Sequence, residues 1–213
     1  MTGVAIKICG ISTPETLAAI IAARADYAGF NFHPPSPRYV SPSQAQVLAG
    51  QAAGRVKRVG LFVDAADAAL ADAVATGALD ALQLHGSESP ARVAELRARF
   101  GLPVWKVISV AARADLARTE AYVGAADFVL LDAKTPAGTL PGGMGLKFDW
   151  ALLSGWKSPL PWGLAGGLTA DNVADAIAQT RAPLVDTASG VESAPGIKDP
   201  ALIADFCRAV RAA

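Results

Sequence analysis

Hydrophobic and polar positions alternate in blocks along the chain, with short apolar runs followed by longer segments rich in alanine and leucine. The short runs predict eight strands, at residues 4–9, 27–32, 56–63, 79–84, 104–108, 128–131, 162–165 and 184–187. The longer segments predict helices at 15–24, 65–76, 90–100, 114–122, 148–153, 171–179 and 201–210. One further helix opens with the capping-box sequence Ser41-Pro-Ser-Gln44.

The strands are continuous apolar runs, which indicates that both faces are buried, as in a parallel sheet covered by helices. Alternation of strand and helix is typical of α/β architecture. Eight such units favour a closed (β/α)8 TIM barrel over the alternative, a doubly wound open sheet. Because no linker or break in composition divides the 213 residues, we expect residues 1–213 to form a single domain.

Composition narrows the classes of function. Hydrophobic residues make up 52% of the chain, and 19 basic residues balance 19 acidic ones. A neutral globular chain argues against nucleic acid or an anionic membrane surface as a partner, so a bound phosphate must be held by local geometry. The apolar runs are too short to span a bilayer, and no secretory signal is apparent. With only two cysteines, we expect a cytoplasmic protein without a disulfide.

Chemistry in such a barrel lies where the strands end at their carboxyl side. Cys9 ends the first strand beside Gly10, where a thiol becomes a usable base if its neighbours lower its pKa. Asp132 ends the sixth strand, where desolvation favours a protonated acid. The plainer alternatives are a buried core thiol and a capping or salt-bridging carboxylate. Cys207, beside Phe206 on the last helix, is expected only to pack.

Two glycine-bearing loops follow the last two strands. Gly166-Gly167 follows strand 7 and Ser189-Gly190 follows strand 8, the positions at which barrels often bind phosphate through backbone N–H groups. Ordinary tight turns are the alternative. Arg38, in the loop after strand 2, can hold a carboxylate bidentately, although surface arginines are common.

Two further features lie at the same end of the barrel. His85 follows strand 4, and we expect it to contact substrate. The glycine-rich residues 142–147 superficially resemble a nucleotide loop but have neither the Walker nor the Rossmann spacing. We therefore interpret residues 142–147 as a flexible lid or positioning loop.

Motifs in order along the chain carry a resemblance to a known family. They are Lys7-Ile-Cys-Gly10, Gly29-Phe-Asn-Phe32, Ser36-Pro-Arg-Tyr-Val40, Val59-Gly-Leu-Phe-Val63, Gln83-Leu-His-Gly86, Leu130-Leu-Asp132, Gly142-Gly-Met-Gly145, Phe148-Asp-Trp150, Leu164-Ala-Gly-Gly-Leu168, Asn172-Val173, Ser189-Gly-Val-Glu192, Pro195-Gly196 and Lys198-Asp199. Each motif is weak alone, but the ordered set is specific. The chain resembles the phosphoribosylanthranilate isomerase family over nearly its whole length.

That resemblance implies an Amadori rearrangement of N-(5-phosphoribosyl)anthranilate to 1-(2-carboxyphenylamino)-1-deoxyribulose 5-phosphate in tryptophan biosynthesis. It implies Cys9 as base, Asp132 as acid and Arg38 as the group that holds the anthranilate carboxylate. The backbone at Gly166-Gly167 and Ser189-Gly190 would hold the phosphate. We expect a small phosphorylated substrate, neither a metal nor a cofactor, and a monomer or homodimer.

The chain departs from the family pattern at four positions. Met144 replaces a usual serine or threonine, and Ala188 replaces a usual serine near the phosphate loops. Asn31 and His33 replace apolar and aromatic residues near Arg38. None of these changes falls on the proposed acid or base.

Two other functions remain open on sequence grounds. A metal-dependent sugar-phosphate epimerase or aldolase could draw its ligands from the strand ends, namely His33, Asp64, His85 and Asp132. A non-catalytic barrel could bind a phosphosugar while making no use of Cys9 and Asp132, because fold alone does not fix function.

Overall fold

The computed structural model describes residues 3–134 and 148–213. Eight parallel strands form a closed barrel in which each strand pairs with the next and the eighth pairs with the first. The strands are β1 (Ala5–Cys9), β2 (Tyr27–Asn31), β3 (Lys57–Phe62), β4 (Ala81–Leu84), β5 (Val104–Val110), β6 (Phe128–Ala133), β7 (Trp162–Leu164) and β8 (Leu184–Thr187). This architecture confirms the predicted (β/α)8 barrel and excludes the open sheet.

Helices connect the strands. They are α1 (Pro14–Ala22), α2 (Pro42–Ala52), α3 (Asp67–Ala75), α4 (Pro90–Phe100), α5 (Val173–Thr180) and α6 (Pro200–Ala212), with 3₁₀ helices at Arg113–Tyr122, Trp150–Leu153 and Ser189–Val191. The predicted capping box of α2 forms, since Ser41 accepts from the Gln44 amide and Gln44 accepts from the Ser41 amide. A proline in the first turn and an N-cap side chain begin α1, α2, α4 and α6 in the same way.

Two local features differ from the sequence prediction. The segment predicted as an α-helix at 114–122 is a 3₁₀ helix, and its buried residues Leu116, Thr119 and Tyr122 recur every third position, which is the 3₁₀ period. After β8 the chain also forms a short hairpin, β9 (Glu192–Ala194) with β10 (Ile197–Lys198). These short strands are mostly exposed and polar, so they give no apolar run.

The apolar core lies in two layers separated by the barrel wall. The larger layer packs between the strands and the helices and includes Ile6, Ile8 and Cys207. The smaller layer fills the barrel interior, where Trp105 packs against the rings of Tyr27 and Phe128. Because side chains alternate along a strand, the two layers take alternate residues.

β1 shows how this alternation positions chemistry. Ile6 and Ile8 face the helices, so Ala5, Lys7 and Cys9 face the barrel interior. Cys9 and Cys207 are both free and buried, and Cys207 packs on α6 as predicted. Within the described residues, no helix combines the length and apolar character needed to cross a bilayer.

Candidate active site

The C-terminal ends of β1–β8 form a ring that we call the mouth. Cys9 is the last residue of β1, and Asp132 is the penultimate residue of β6. Both are largely buried, at 6% and 7% exposed. The Cys9 side chain lies over β2 at a glycine, since a Cβ on Gly29 would come 2.8 Å from its Sγ. The mouth therefore contains both residues predicted from strand position.

Asp132 has a protein partner at the mouth. Its Oδ2 lies 3.3 Å from Nε2 of His85, which directly follows β4. Both side chains are buried, and Nδ1 of His85 has no hydrogen-bond partner among the described residues. Gly166 packs against the same carboxylate, because its positive φ of 94° brings the loop after β7 close to β6. His85 thus contacts the proposed acid, while its contact with substrate remains a prediction.

The two glycine-bearing loops meet beside the end of β8. Thr187 Oγ1 donates to the Leu168 carbonyl at 2.7 Å, and a Cβ on Gly190 would lie 1.9 Å from the same oxygen. Asn172 Nδ2 donates to the Gly167 carbonyl at 2.9 Å and fixes the other side of the turn. Glycine at 190 is therefore required for this approach, and the predicted phosphate loops are adjacent in space.

Arg38 is held at the mouth by a carboxylate of the protein. Its Nε and Nη2 donate to Glu192 Oε1 and Oε2, both at 2.7 Å, in a bidentate pair. Lys198 Nζ lies 2.5 Å from the same Oε1 and donates to the Ala188 carbonyl at 2.9 Å. The hairpin β9–β10 thus holds the side chain of Arg38, which itself lies in the loop after β2, in place at the mouth. The bond from Lys198 uses the backbone carbonyl of Ala188, so it does not need the side-chain hydroxyl of the serine that is usual at this position.

The loop that carries Arg38 is organised by one of the residues that depart from the family pattern. Asn31 Oδ1 accepts from the His33 amide at 2.8 Å, and its Nδ2 donates to Ser36 Oγ at 3.1 Å. That hydroxyl oxygen in turn accepts from the Arg38 amide at 3.2 Å. Asn31 is therefore explained by the turn it stabilises.

Lys7 and Asp186 form a buried ion pair below Cys9. Lys7 Nζ lies 2.9 Å from Asp186 Oδ2 inside the barrel, and Lys7 is fully buried. Sequence reasoning assigned neither residue a role. The sequence does contain a signal for Lys7, since it is a charged residue in an apolar strand, two positions before Cys9. That spacing puts both side chains on one face of the strand.

Burial and charge act in opposite directions in this group. Burial opposes the charge on Lys7, but attraction to Asp186 and Cys9 outweighs it and raises the pKa of Lys7. Burial also raises the pKa of Asp186, against the pull of Lys7. Because Nζ and Oδ2 are only 2.9 Å apart, we describe the pair as ionised.

Burial and charge also act in opposite directions on the pKa of Cys9. Burial raises the pKa of the Cys9 thiol, and Asp186 adds to the rise. Lys7 and Lys198 oppose it but do not overcome burial. The condition stated for a usable base was that its neighbours lower this pKa, and Lys7 and Lys198 act in that direction while burial acts against it. A thiolate at Cys9 therefore depends on the cations around it.

The four residues considered as metal ligands are not gathered at one point. Asp64 Oδ1 accepts from the amide of Ser87 at 2.7 Å and so belongs to the loops outside the barrel, while His85 contacts Asp132. In residues 3–134 and 148–213, no three His, Cys, Asp or Glu side chains form a group that could hold a metal ion. The predicted lid at residues 142–147, with Met144, lies outside the described residues.

Comparison with known proteins decides the family. The model of the N-(5′-phosphoribosyl)anthranilate (PRA) isomerase family matches residues 6–209. The chain belongs to this family. A relative from Rhodopseudomonas palustris (strain HaA2), named N-(5′-phosphoribosyl)anthranilate isomerase, is 53% identical over 210 residues, covering 98% of this chain and 96% of the relative. One of the same name from Cereibacter sphaeroides (strain ATCC 17029 / ATH 2.4.9) is 52% identical over 212 residues, 99% of this chain and 100% of the relative.

Solved structures of the same family agree with this barrel. Phosphoribosyl anthranilate isomerase from Thermotoga maritima is 34% identical with a TM-score of 0.86, and covers 99% of this chain and 100% of its own. Another, solved with reduced 1-(o-carboxyphenylamino)-1-deoxyribulose 5-phosphate, is 32% identical with the same TM-score and the same coverage. The family resemblance drawn from the motifs is confirmed, and the activity of the chain is isomerisation of phosphoribosylanthranilate in tryptophan biosynthesis.

Proposed function

We propose that Cys9 and Asp132 carry out the Amadori rearrangement as base and acid. The observation that carries this proposal is their common position at the mouth, Cys9 closing β1 above a buried lysine and Asp132 on β6 against His85. Both side chains are shielded from water, where a positioned group transfers protons most effectively. Opening the sugar ring needs a proton at the ring oxygen, and the rearrangement needs removal of the proton at C2′, so one group donates while the other accepts.

The steps follow from the chemistry of an N-glycoside. Asp132 donates a proton to the ring oxygen, the bond from that oxygen to C1′ breaks, and a protonated Schiff base forms. The Cys9 thiolate removes the C2′ proton, and the electron pair of that bond neutralises the iminium to give an enolamine. A proton then adds at C1′ and one leaves the 2′-hydroxyl, which gives the ketone. Because one proton is gained and one lost in each half, the reaction is balanced.

The other mouth residues serve binding. Arg38, presented by Glu192, would hold the anthranilate carboxylate, and His85 would line the site beside Asp132. Backbone N–H groups at Gly166-Gly167 and Ser189-Gly190 would hold the phosphate. A relative solved with a reduced phosphorylated product supports a ligand of this class.

The proposed reaction uses neither a metal nor a cofactor, because each step is a proton transfer that the two side chains can perform. Full turnover after exhaustive treatment with a chelator is the expected result. Loss of turnover that a divalent metal restores would instead support the metal-dependent alternative. The oligomeric state, a monomer or homodimer, remains a prediction that sedimentation would test.

The deciding experiment follows the loss of phosphoribosylanthranilate fluorescence after the substrate is generated in situ. We expect Cys9→Ala and Asp132→Asn each to lower kcat by about 10²–10⁴-fold, the usual contribution of a general acid or base. Both variants should bind the reduced product analogue as the parent does, because neither side chain is assigned to binding. Turnover at the parent rate by either variant would contradict its assigned role, and no turnover by the parent chain would favour a non-catalytic binder.

A further inference from the structure

Lys7 and Cys9 occupy one face of β1, two residues apart, and both face the barrel interior. Lys7 is fully buried, and its ammonium is fixed by Asp186 of the neighbouring strand β8. The register of the barrel pairs Lys7 with Asp186 directly, so the ion pair lies immediately below the thiol. A charge is thus placed beneath the proposed base by the fold itself.

Stability alone explains this pair poorly. A buried ion pair must overcome the desolvation of both charges, and apolar residues of similar volume often serve at least as well. Nor is this pair completed by hydrogen bonds, because Asp186 Oδ1 is buried with no partner among the described residues. The Oε1 atom of Gln83, on β4 and facing the same interior, is also unpartnered there. The barrel interior below the mouth thus contains polar atoms that the other described side chains do not satisfy.

Several cations lie around the thiol of Cys9. In the described part of the chain, three cations act on it: Lys7 from β1, Lys198 from β10 and Arg38 from the loop after β2. Asp186 pairs with Lys7, and Glu192 pairs with both Arg38 and Lys198. Lys7 and Lys198 thus favour a thiolate at Cys9, while Asp186 opposes it.

The geometry points to Lys7 as a positioning residue for the base: its ammonium stabilises the thiolate of Cys9, and Asp186 holds that ammonium in place. The thiol ionises by giving its proton to water, and the thiolate then takes the C2′ proton to restore the S–H bond. Of the three cations, Lys7 alone is both on the strand of Cys9 and without any exposed surface. This inference rests on the proposed role of Cys9 as the base.

The test measures the reaction of Cys9 with iodoacetamide at a fixed pH near 8. Only the thiolate attacks, forming a sulfur–carbon bond as iodide leaves, so the rate below the pKa reports the thiolate fraction. The reagent is uncharged, so the charge of residue 7 does not alter its local concentration. Peptide mass spectrometry separates Cys9 from Cys207, whose pKa is raised by burial to about 11 and which serves as an internal control for unfolding.

The two partners should shift the rate in opposite directions. Lys7→Met should lower the alkylation rate of Cys9 about tenfold or more, because loss of a close cation raises the thiol pKa by about one unit or more. Asp186→Asn should raise the rate, because it removes the anion that opposes the thiolate. Lys7→Arg keeps the charge and should stay closest to the parent. If the ion pair were only structural, Lys7→Met and Asp186→Asn would change the alkylation rate of Cys9 in the same direction.

Two controls separate charge from folding. Lys106→Met removes another buried, ion-paired lysine that lies outside the barrel interior, and it should leave the Cys9 rate unchanged. If Lys7→Met does not fold, the double variant Lys7→Met/Asp186→Asn removes the pair without leaving an isolated buried charge. Its Cys9 rate should remain below the parent, since Lys7 affects the thiol more strongly than Asp186 does.

Turnover gives a second measurement. Lys7→Met should lower kcat at neutral pH about tenfold, with recovery as the pH rises, because the limb set by Cys9 ionisation moves to higher pH. An unchanged alkylation rate, or a change confined to KM, would overturn the role of Lys7. If the alkylation shifts occur while Cys9→Ala retains full turnover, the coupling stands and the assignment of Cys9 as base is wrong.

Discussion

Lys7 and Lys106 are both almost completely buried and both paired with a carboxylate, yet they lie on opposite sides of the barrel wall. Lys106 faces outward, since its neighbours Trp105 and Val107 fill the interior. Its Nζ donates to the carbonyls of Leu84 and Gly86 at 3.2 and 2.7 Å and to Glu88 at 2.8 Å, which uses all three N–H donors. It fastens β5 to the loop after β4.

Among the described residues Lys7 makes no such set of contacts, and the difference teaches how one residue type serves two purposes. Its ion-pair partner is Asp186, and its remaining interaction is with the thiol of Cys9. Burial lowers the pKa of Lys106, whereas Asp186 and Cys9 together raise the pKa of Lys7. The ammonium of Lys106, outside the barrel interior, completes a hydrogen-bond network. The ammonium of Lys7, below the mouth, provides a positive charge.

Stability gives the largest expected contrast. Lys106→Met should lower the free energy of unfolding by about 3–5 kcal/mol, because it leaves Glu88 as an uncompensated buried charge. The double variant Lys7→Met/Asp186→Asn should lose clearly less, because it removes a whole pair. Equilibrium denaturation in urea measures both values. An equal loss in the two proteins would mean that the Lys7 pair is as structural as the Lys106 pair.

Two arginines extend the comparison from the mouth to the opposite end of the barrel. Arg38 pairs bidentately with Glu192 at the mouth, and Arg58, near the start of β3, pairs bidentately with Asp80 at 2.8 Å for each contact. Arg38→Ala should raise KM about 10- to 100-fold through the loss of a charged hydrogen bond to the substrate carboxylate. Steady-state kinetics from the fluorescence assay would measure this change.

Arg58→Ala is the matched control. It removes the same type of pair, but from the end of the barrel where β3 begins, and should leave KM and kcat unchanged. A raised KM in both variants would point to a general loss of structure. An unchanged KM for Arg38→Ala alone would count against the carboxylate-binding role.

The barrel could be predicted because its determinants are local. Continuous apolar runs and proline-led helix caps occur within single segments, and the fold follows from their order. The hairpin at Glu192–Ala194 and Ile197–Lys198 could not be predicted, because it is specified by its packing on Arg38 rather than by its own pattern. The 3₁₀ helix was missed because its three-residue period falls close to that of an α-helix.

Part of the site could be predicted for the same reason. Cys9, Asp132 and Arg38 lie at strand ends or in the loops that follow, and the rule for barrels selects those positions. Ion pairs are different, because Lys7 and Asp186 are 179 residues apart and Arg38 and Glu192 are 154 apart. The first pair depends on strand register and the second on how two loops pack, and one sequence reveals neither.

The smallest expected effect is that of Cys207→Ala, which tests the same contrast with a different group. Cys207 lies on α6 in the layer between the strands and the helices, beside Phe206. Its thiol packs among the described core residues, and a methyl partly replaces that packing. Cys207→Ala should therefore lower the free energy of unfolding by about 1 kcal/mol and leave kcat unchanged. Cys9→Ala should do the reverse, losing turnover with little change in stability. A fall in kcat for folded Cys207→Ala would show that packing between the strands and the helices affects the residues at the mouth. The two sides of the barrel wall would then not be independent.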